Sequence, residues 1–394
     1  MHADDPLALL QKRLELRRCG GLARRLVSIG PATGARVVVE GRPVLLMASN
    51  DYLGLAGHLR LRRAAARAAE ELGASSAASR LAAGTLDGHL ALERQIARFK
   101  HAETALYFHT GYMTNLGVVS GLAGPGDLIV SDQLNHASLI DACRLSRATV
   151  KVYPHRDWRA AERLLAQGPG GGLKLLVSDG VFSMDGDLAP LARLLEVAQR
   201  QGALLVIDDA HATGVWGETG RGTAEHFGIT PGPELVMVGT FSKAMGGAGG
   251  FVAGHRVVID TLVNRARSLL YTTAPPPSQV AAAAEALKVL ADEPWRRQKL
   301  HQLSARLRGN LTNAGFEVLS PAGPIVPVLV GGAEPAVSLS RALLERGVYA
   351  PAMRPPTVPQ GTSRLRLAVS AAHEPADMDQ AAQALREARR EVGL

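Results

Sequence analysis

Ala203-Leu204-Leu205-Val206-Ile207-Asp208-Asp209-Ala210-His211 reads as a buried strand that ends abruptly in charge. Five apolar residues in succession leave neither face polar, as expected of a strand covered on both sides. Similar short runs recur at Ala105–Phe108, Leu128–Val130, Val150–Tyr153, Leu173–Val177, Leu235–Val238 and Gly250–Ala253, with helical patterns between them. The seven together predict an α/β fold with a central, mostly parallel sheet from Asn50 to about Ala291. Beyond the helical stretches around Pro277–Ala291 and Trp295–Ala314, the strands Ile325–Val330, Gly347–Ala350 and Leu365–Val369 surround a helix, Ala336–Arg346. A further helix from Pro375 closes a smaller α+β domain, which the N-terminal segment can complete. Ahead of Asn50, an amphipathic helix near Pro6–Arg18 leads to a hairpin of Ala35–Glu40 and Pro43–Ala48. The expected division is therefore an N-terminal segment 1–49, a large domain 50–291 and a small domain 292–394.

Composition narrows the class of function. The 394 residues are 46% apolar, enough for a sizeable core, and no apolar run is long enough for a membrane span. No signal-peptide pattern opens the chain, which favours a cytoplasmic protein. Cys19 and Cys143 are too few for a disulfide framework and match no metal motif, so no metal is expected. The net charge of +8 raises nucleic acid as a partner. The arginines are scattered along amphipathic helices, however, and aromatics make up only 4%, so there is no stacking platform. A basic surface suited to a polyanionic small molecule fits better; neither nucleic acid nor membrane is expected as a partner.

Candidate chemistry sits where strands end, because ligands of open α/β sheets bind beyond the carboxyl ends. Asp208 at such an end can pair with a protonated ring nitrogen, with His211 in reach of another ligand atom. By itself Asp-x-x-His also suits a metal pair or a helix cap. Leu235–Val238 runs into Gly239-Thr240-Phe241-Ser242-Lys243 and then the glycine-rich Gly246–Gly250. A lysine flanked by two hydroxyls there suits a Schiff base beside a phosphate, the alternative being a surface-loop lysine. Thr110-Gly111-Tyr112 opens a helix whose first N–H groups can bind phosphate. Asn135-His136-Ala137-Ser138 brings an imidazole to the same edge, as a ring-stacking group or a structural histidine.

Six segments in order then resemble one family. They are Asn50-Asp51-Tyr52-Leu53-Gly54-Leu55, Asn135-His136-Ala137-Ser138, Val181-Phe182-Ser183-Met184-Asp185-Gly186-Asp187, Asp208-Asp209-Ala210-His211, Gly239-Thr240-Phe241-Ser242-Lys243, and Pro355-Pro356-Thr357-Val358-Pro359 with Arg364-Leu365-Arg366. The chain resembles, over nearly its whole length, the α-oxoamine synthases of the pyridoxal-phosphate (PLP) fold-type I, aspartate-aminotransferase-like superfamily. That resemblance implies decarboxylative condensation of an amino acid with an acyl-CoA or acyl-carrier-protein thioester, in a homodimer. Lys243 would hold PLP as a Schiff base and then move protons. Asp208 would pair with the ring nitrogen, and His211 and Ser183 would contact the ring hydroxyl. His136 would stack on the ring. Gly111, Tyr112 and Thr240, beside Ser242, would bind phosphate, while Thr272 and Thr273 would reach the phosphate of a neighbouring subunit. Arg366 would take the amino-acid carboxylate, a good fit for a two-pronged guanidinium. Asn50, Arg24, Arg354 and Thr357 would touch substrate.

Within the family, Arg354–Pro359 and Arg364-Leu365-Arg366 resemble members that use L-alanine and a pimeloyl thioester for biotin more than they resemble the glycine-using or serine-using ones. One run departs from the family. Where a glycine-rich Gly-Ser-Gly-Gly-Ser-Arg is usual, this chain has Ser75-Ser76-Ala77-Ala78-Ser79-Arg80. An alanine at positive φ there would strain the backbone or reshape the acyl channel.

Overall fold

A computed structural model describes residues 5–20, 22–30, 34–168 and 170–394. The chain divides into two compact units, one of Asn50–Leu300 and one of Met1–Ser49 with His301–Leu394.

The larger unit is built on seven strands: β1 (Thr104–Phe108), β2 (Leu128–Asp132), β3 (Thr149–Tyr153), β4 (Lys174–Asp179), β5 (Leu204–Asp208), β6 (Leu235–Thr240) and β7 (Gly250–Gly254). Their order across the sheet is β1-β7-β6-β5-β4-β2-β3. Strands β2 to β6 run parallel, and β7 is antiparallel to both β1 and β6. Valine, leucine and isoleucine fill β4, β5 and β6 because both faces are covered; Val177, Val206, Val236 and Val238 share one core cluster. Fully burying such a side chain is worth about 1.5–3 kcal/mol relative to exposure. The covering helices follow the same logic. In Leu191–Gln201 the buried Leu191, Leu194, Leu195 and Ala198 form one stripe, and Gly202 in the left-handed conformation (φ 59°) ends the helix.

Parallel pairing has one consequence for function: the carboxyl ends of β2, β4, β5 and β6 lie along a single edge. Those ends are Asp132, Asp179, Asp208 and Thr240, with Asp179 directly opposite Asp208 in register. Apolar strands thus deliver a row of polar side chains to one edge.

In the smaller unit the N-terminal hairpin does not stand alone. Arg36–Val39 and Arg42–Leu46 form an antiparallel pair, and Leu45–Leu46 continues in parallel register with Val348–Tyr349. A second sheet pairs Ile325–Gly331, Ser363–Ala368 and Ala352–Met353. The division between the units falls inside the helix Trp295–Asn313 and not at residue 292. The helix Pro6–Cys19, capped by Asp5, departs from the amphipathic expectation, as none of its residues is buried. Leu7, Leu10 and Leu14 fall on one side and Leu9 and Leu16 on the other at helical spacing, so no single stripe exists to bury. Among the described residues, no helix is long and apolar enough to cross a membrane.

Candidate active site

A cavity of about 270 Å³ opens at the edge where the parallel strands end. It is lined by Lys243, Asp208, His211, His136, Ser183, Gly111, Tyr112, Thr240 and Ser242. Nine side chains or backbone positions singled out from the sequence thus meet in one place. Thr110, Asn115, Ser138, Asp179 and Ala210 complete the lining.

Asp208 is the last residue of β5 and is 5% exposed. Its Oδ1 accepts from the Ala210 amide at 2.9 Å and its Oδ2 from Asn115 Nδ2 at 2.6 Å. Asn115 also donates to Ser138 Oγ at 2.8 Å, while its own Oδ1 has no partner among the described residues. Beside it, Asp179 is pushed well above the ordinary carboxylate range, first by burial and then by the charge of Asp208.

Lys243 follows β6 and brings Nζ within 2.8 Å of His211 Nε2. His211 Nδ1 lies 2.7 Å from the Tyr52 hydroxyl, which donates to Asn50 Oδ1 at 3.1 Å. With the tyrosine proton directed at Asn50, His211 donates from Nδ1 and its Nε2 accepts from the lysine. The result is a chain of donation from Lys243 through His211 and Tyr52 to Asn50.

His136 caps the helix Ala137–Ser146. Its amide donates to Asp179 Oδ2 at 2.9 Å, and its Nδ1 accepts from the Ser138 amide at 3.3 Å. Burial, with a smaller contribution from the Lys243 charge, lowers the ring below its ordinary value, against the upward pull of Asp208. A neutral ring that accepts at Nδ1 carries its proton on Nε2.

An anion-binding corner faces these groups. Thr110 caps the helix Gly111–Leu122, accepting from the Met113 amide at 3.1 Å. The amides at such a start lack intrahelical acceptors and attract negative charge. Thr240 Oγ1 and Ser242 Oγ sit 2.8 Å apart beside it. A Cβ on Gly250 would overlap Thr114 Oγ1 and Gly111 Cα, so glycine is what lets the helix start seat on the sheet end. A carboxylate for a ring nitrogen, a lysine amine, a neutral imidazole and an anion corner form a donor set that fits PLP. Among the described residues, no group of three or more metal-ligating side chains occurs.

The other candidates lie elsewhere. Thr273 pairs with Ser79 in an isolated bridge, and neither it nor Thr272 lines the cavity. In the smaller unit, Arg24 Nη2 donates to Thr357 Oγ1 at 2.9 Å and Arg354 Nη2 to the Ala23 carbonyl at 2.7 Å. These three candidates therefore cluster, at the surface. Arg366 is buried in the strand Ser363–Ala368, opposite Pro327.

Sequence reasoning overlooked Asn115, Asp179, Tyr52 and Ser138 as site residues. Asp179 carried the same signal as Asp208, a carboxylate closing an apolar strand. Asn115, an amide within the helix Gly111–Leu122 beside Thr114, carried no such local signal.

Comparison with known proteins agrees with this geometry. The model of the family "Aminotransferase class I and II" matches residues 42–385. An 8-amino-7-oxononanoate synthase from Geobacter sulfurreducens is 49% identical over 97% of this chain and 98% of its own length. Among solved structures, a serine palmitoyltransferase from S. paucimobilis with a bound PLP–myriocin aldimine superposes with a TM-score of 0.93. It is 31% identical, and 99% of each chain is covered. An 8-amino-7-oxononanoate synthase from Francisella tularensis gives 0.77 at 26% identity, over 89% of this chain and 99% of that one. The chain belongs to the aminotransferase class I and II family, as a member of its α-oxoamine synthase group.

Proposed function

We propose that this chain is a PLP-dependent acyltransferase that condenses L-alanine with a pimeloyl thioester of CoA or a carrier protein. The products are 8-amino-7-oxononanoate, the free thiol and CO₂, a step of biotin biosynthesis. The observation that carries this reading is the full-length, 49% likeness to an 8-amino-7-oxononanoate synthase.

Bound PLP supplies an electron sink for the pair left on the amino-acid Cα when its proton, and later its carboxylate, departs. Lys243 Nζ would hold the cofactor, and the free amine would take the Cα proton and later return one. His211, accepting from that amine at Nε2, keeps it directed into the cavity, with Tyr52 and Asn50 behind it. Asp208, held in place by the Ala210 amide and Asn115, would pair with the ring nitrogen. His136, oriented by Asp179 and Ser138, would stack on the cofactor ring. Ser183 and His211 would contact the ring hydroxyl, and the helix start at Gly111 and Tyr112 would hold the phosphate with Thr240 and Ser242. Arg366 binds the amino-acid carboxylate; Arg24, Arg354 and Thr357 serve the polar far end of the acyl chain. Thr272 and Thr273 lie outside their own chain's cavity lining, as a role on a second copy's phosphate requires, so we also propose a homodimer.

A second reading, serine with a long-chain acyl thioester, draws on the higher TM-score of the serine palmitoyltransferase. A substrate matrix separates the two: L-alanine, glycine and L-serine, each with pimeloyl-, acetyl-, succinyl- and palmitoyl-CoA, with products identified by mass spectrometry. Alanine with pimeloyl-CoA is expected to lead in kcat/KM by at least about tenfold, or about 1.4 kcal/mol in transition-state binding. Serine with palmitoyl-CoA, or glycine with a short acyl-CoA, in the lead would overturn the substrate assignment and leave the family intact.

A further inference from the structure

Behind the cavity edge lies a buried charge that the reaction does not use. Lys100 ends the helix Asp87–Lys100, and its side chain is 1% exposed. Its Nζ lies 3.2 Å from Asp209 Oδ2, donates also to the Arg221 carbonyl and stands 5.9 Å from the centre of the Phe251 ring. Asp209 is itself fully buried. Its carboxylate accepts from Thr223 twice, Oγ1 to Oδ1 at 2.6 Å and the amide to Oδ2 at 3.1 Å.

Successive side chains at a strand end point to opposite faces. Asp208 lines the cofactor cavity, whereas neither Asp209 nor Lys100 does. Lys100 instead borders a separate cavity of about 210 Å³ together with His101, Arg221 and Glu225. The backbone of Asp209 is the hub of the turn. Its amide donates to the Val238 carbonyl at 2.8 Å, and its carbonyl accepts from Ala212 and Thr213 at 2.9 and 2.8 Å. Its carboxylate packs so closely on Gly180 that a Cβ there would collide with Oδ1. Gly180 in turn donates its amide to the Asp208 carbonyl at 2.8 Å and follows Asp179.

We propose that Lys100 is a positioning residue for the cofactor-binding turn: its ion pair with Asp209, on the far side of the sheet, fixes the backbone that presents Asp208 and His211. A buried carboxylate without its cation must be neutralised or must draw in water, and either change moves the turn. The cation therefore acts on the cofactor through main-chain geometry and makes no contact with the cofactor cavity.

This inference rests on the reading that the cavity holds PLP. The test measures PLP dissociation from the apo-protein by fluorescence quenching, the visible absorption band of the bound cofactor, and the Tm of the apo-protein. Lys100→Met is expected to raise the PLP Kd at least about tenfold and to shift the band. Adding Asp209→Asn, which removes the orphaned charge, is expected to return Kd to within about threefold of wild type. If Lys100→Met alone does not fold, Asp209→Asn in the wild-type background leaves the cation unpaired and is expected to raise Kd in the same way. A variant with lower Tm but wild-type Kd and band would show a merely structural pair and overturn the proposal. So would a double variant that recovers Tm without recovering Kd. Wild-type protein that fails to bind PLP would instead sink the cofactor reading itself.

Discussion

The turn Asp208–His211 and the run Ser75–Arg80 are both irregular segments of the larger unit, tied down by polar contacts, yet only one is strained. In the turn, the Ala210 amide caps Asp208, amides 212 and 213 converge on the Asp209 carbonyl, and no residue from 208 to 211 has positive φ. In the run, Ala77 is held at φ 55°. For a residue with a Cβ this left-handed conformation costs about 1–2 kcal/mol. What holds it there is a set of tethers. Ser76 Oγ donates to the Pro275 carbonyl at 2.7 Å, the Ala274 amide to Ala78 at 2.9 Å, and Arg80 pairs with Glu93 at 2.9 Å. The run therefore holds a positive φ at Ala77, where glycine would carry no such cost, and the cost falls on stability. The chemical turn depends on burial and charge, and the run depends on its tethers.

The sharpest way to break that contrast is at the turn. Asp208→Ala removes the carboxylate without touching the Asp209 hub, so α-proton exchange in L-alanine should slow by roughly 10²–10⁴-fold. Exchange at the wild-type rate, followed by NMR in D₂O, would remove Asp208 from the mechanism.

A second experiment asks whether the turn's neighbours share its charge-based support. His155 lies between two carboxylates, Nδ1 at 3.1 Å from Asp132 Oδ1 and Nε2 at 3.0 Å from Asp187 Oδ2, with the Phe182 ring edge-on at 4.3 Å. It anchors the hairpin closed by the bridge between Val181 and Leu188, which carries Ser183. Burial opposes its charge, but the two carboxylates outweigh burial and raise it from 6.5 to about 9. A folded-state value above the unfolded one means the stabilisation is complete below about 6.5 and is lost as pH rises through about 9. His155→Gln should lower apo-protein stability by about 1–3 kcal/mol at neutral pH, and the gap to wild type should close by about pH 9.5. A pH-independent gap would mean that packing on Phe182, and not charge, holds the hairpin.

The smallest expected effect lies in the run. Ala77→Gly relieves the positive φ and should stabilise the larger unit by up to about 1 kcal/mol, a rise of about 2–4 °C in Tm. A fall in Tm would show that the tethers, not the glycine-like backbone, set the cost.

How legible these regions were in the sequence follows the same division. The central strands were readable because apolar runs broken by helices permit few other arrangements, and β5 and β6 begin and end within two residues of their expected positions. Lys243, Asp208 and His136 were readable because each follows such a strand. Tyr52 and Asn115 were not, since their partners are 159 and 93 residues away and no local pattern announces them. Lys100 was hidden for another reason: a lysine at the end of an amphipathic helix reads as solvated until the fold buries it against Asp209. The N-terminal segment was a candidate to complete the small domain, but its register was not legible, because the parallel pairing of Leu45–Leu46 with Val348–Tyr349 spans about three hundred residues.

The central claim is that Lys243, at the end of β6, is the group that holds the cofactor. Reducing the PLP-loaded protein with sodium borohydride, digesting it and mapping the modified peptide by mass spectrometry tests this directly. The account expects one phosphopyridoxyl group, on Lys243, and none on the same peptide of Lys243→Ala. A coloured protein whose reduced label falls on another lysine would contradict it.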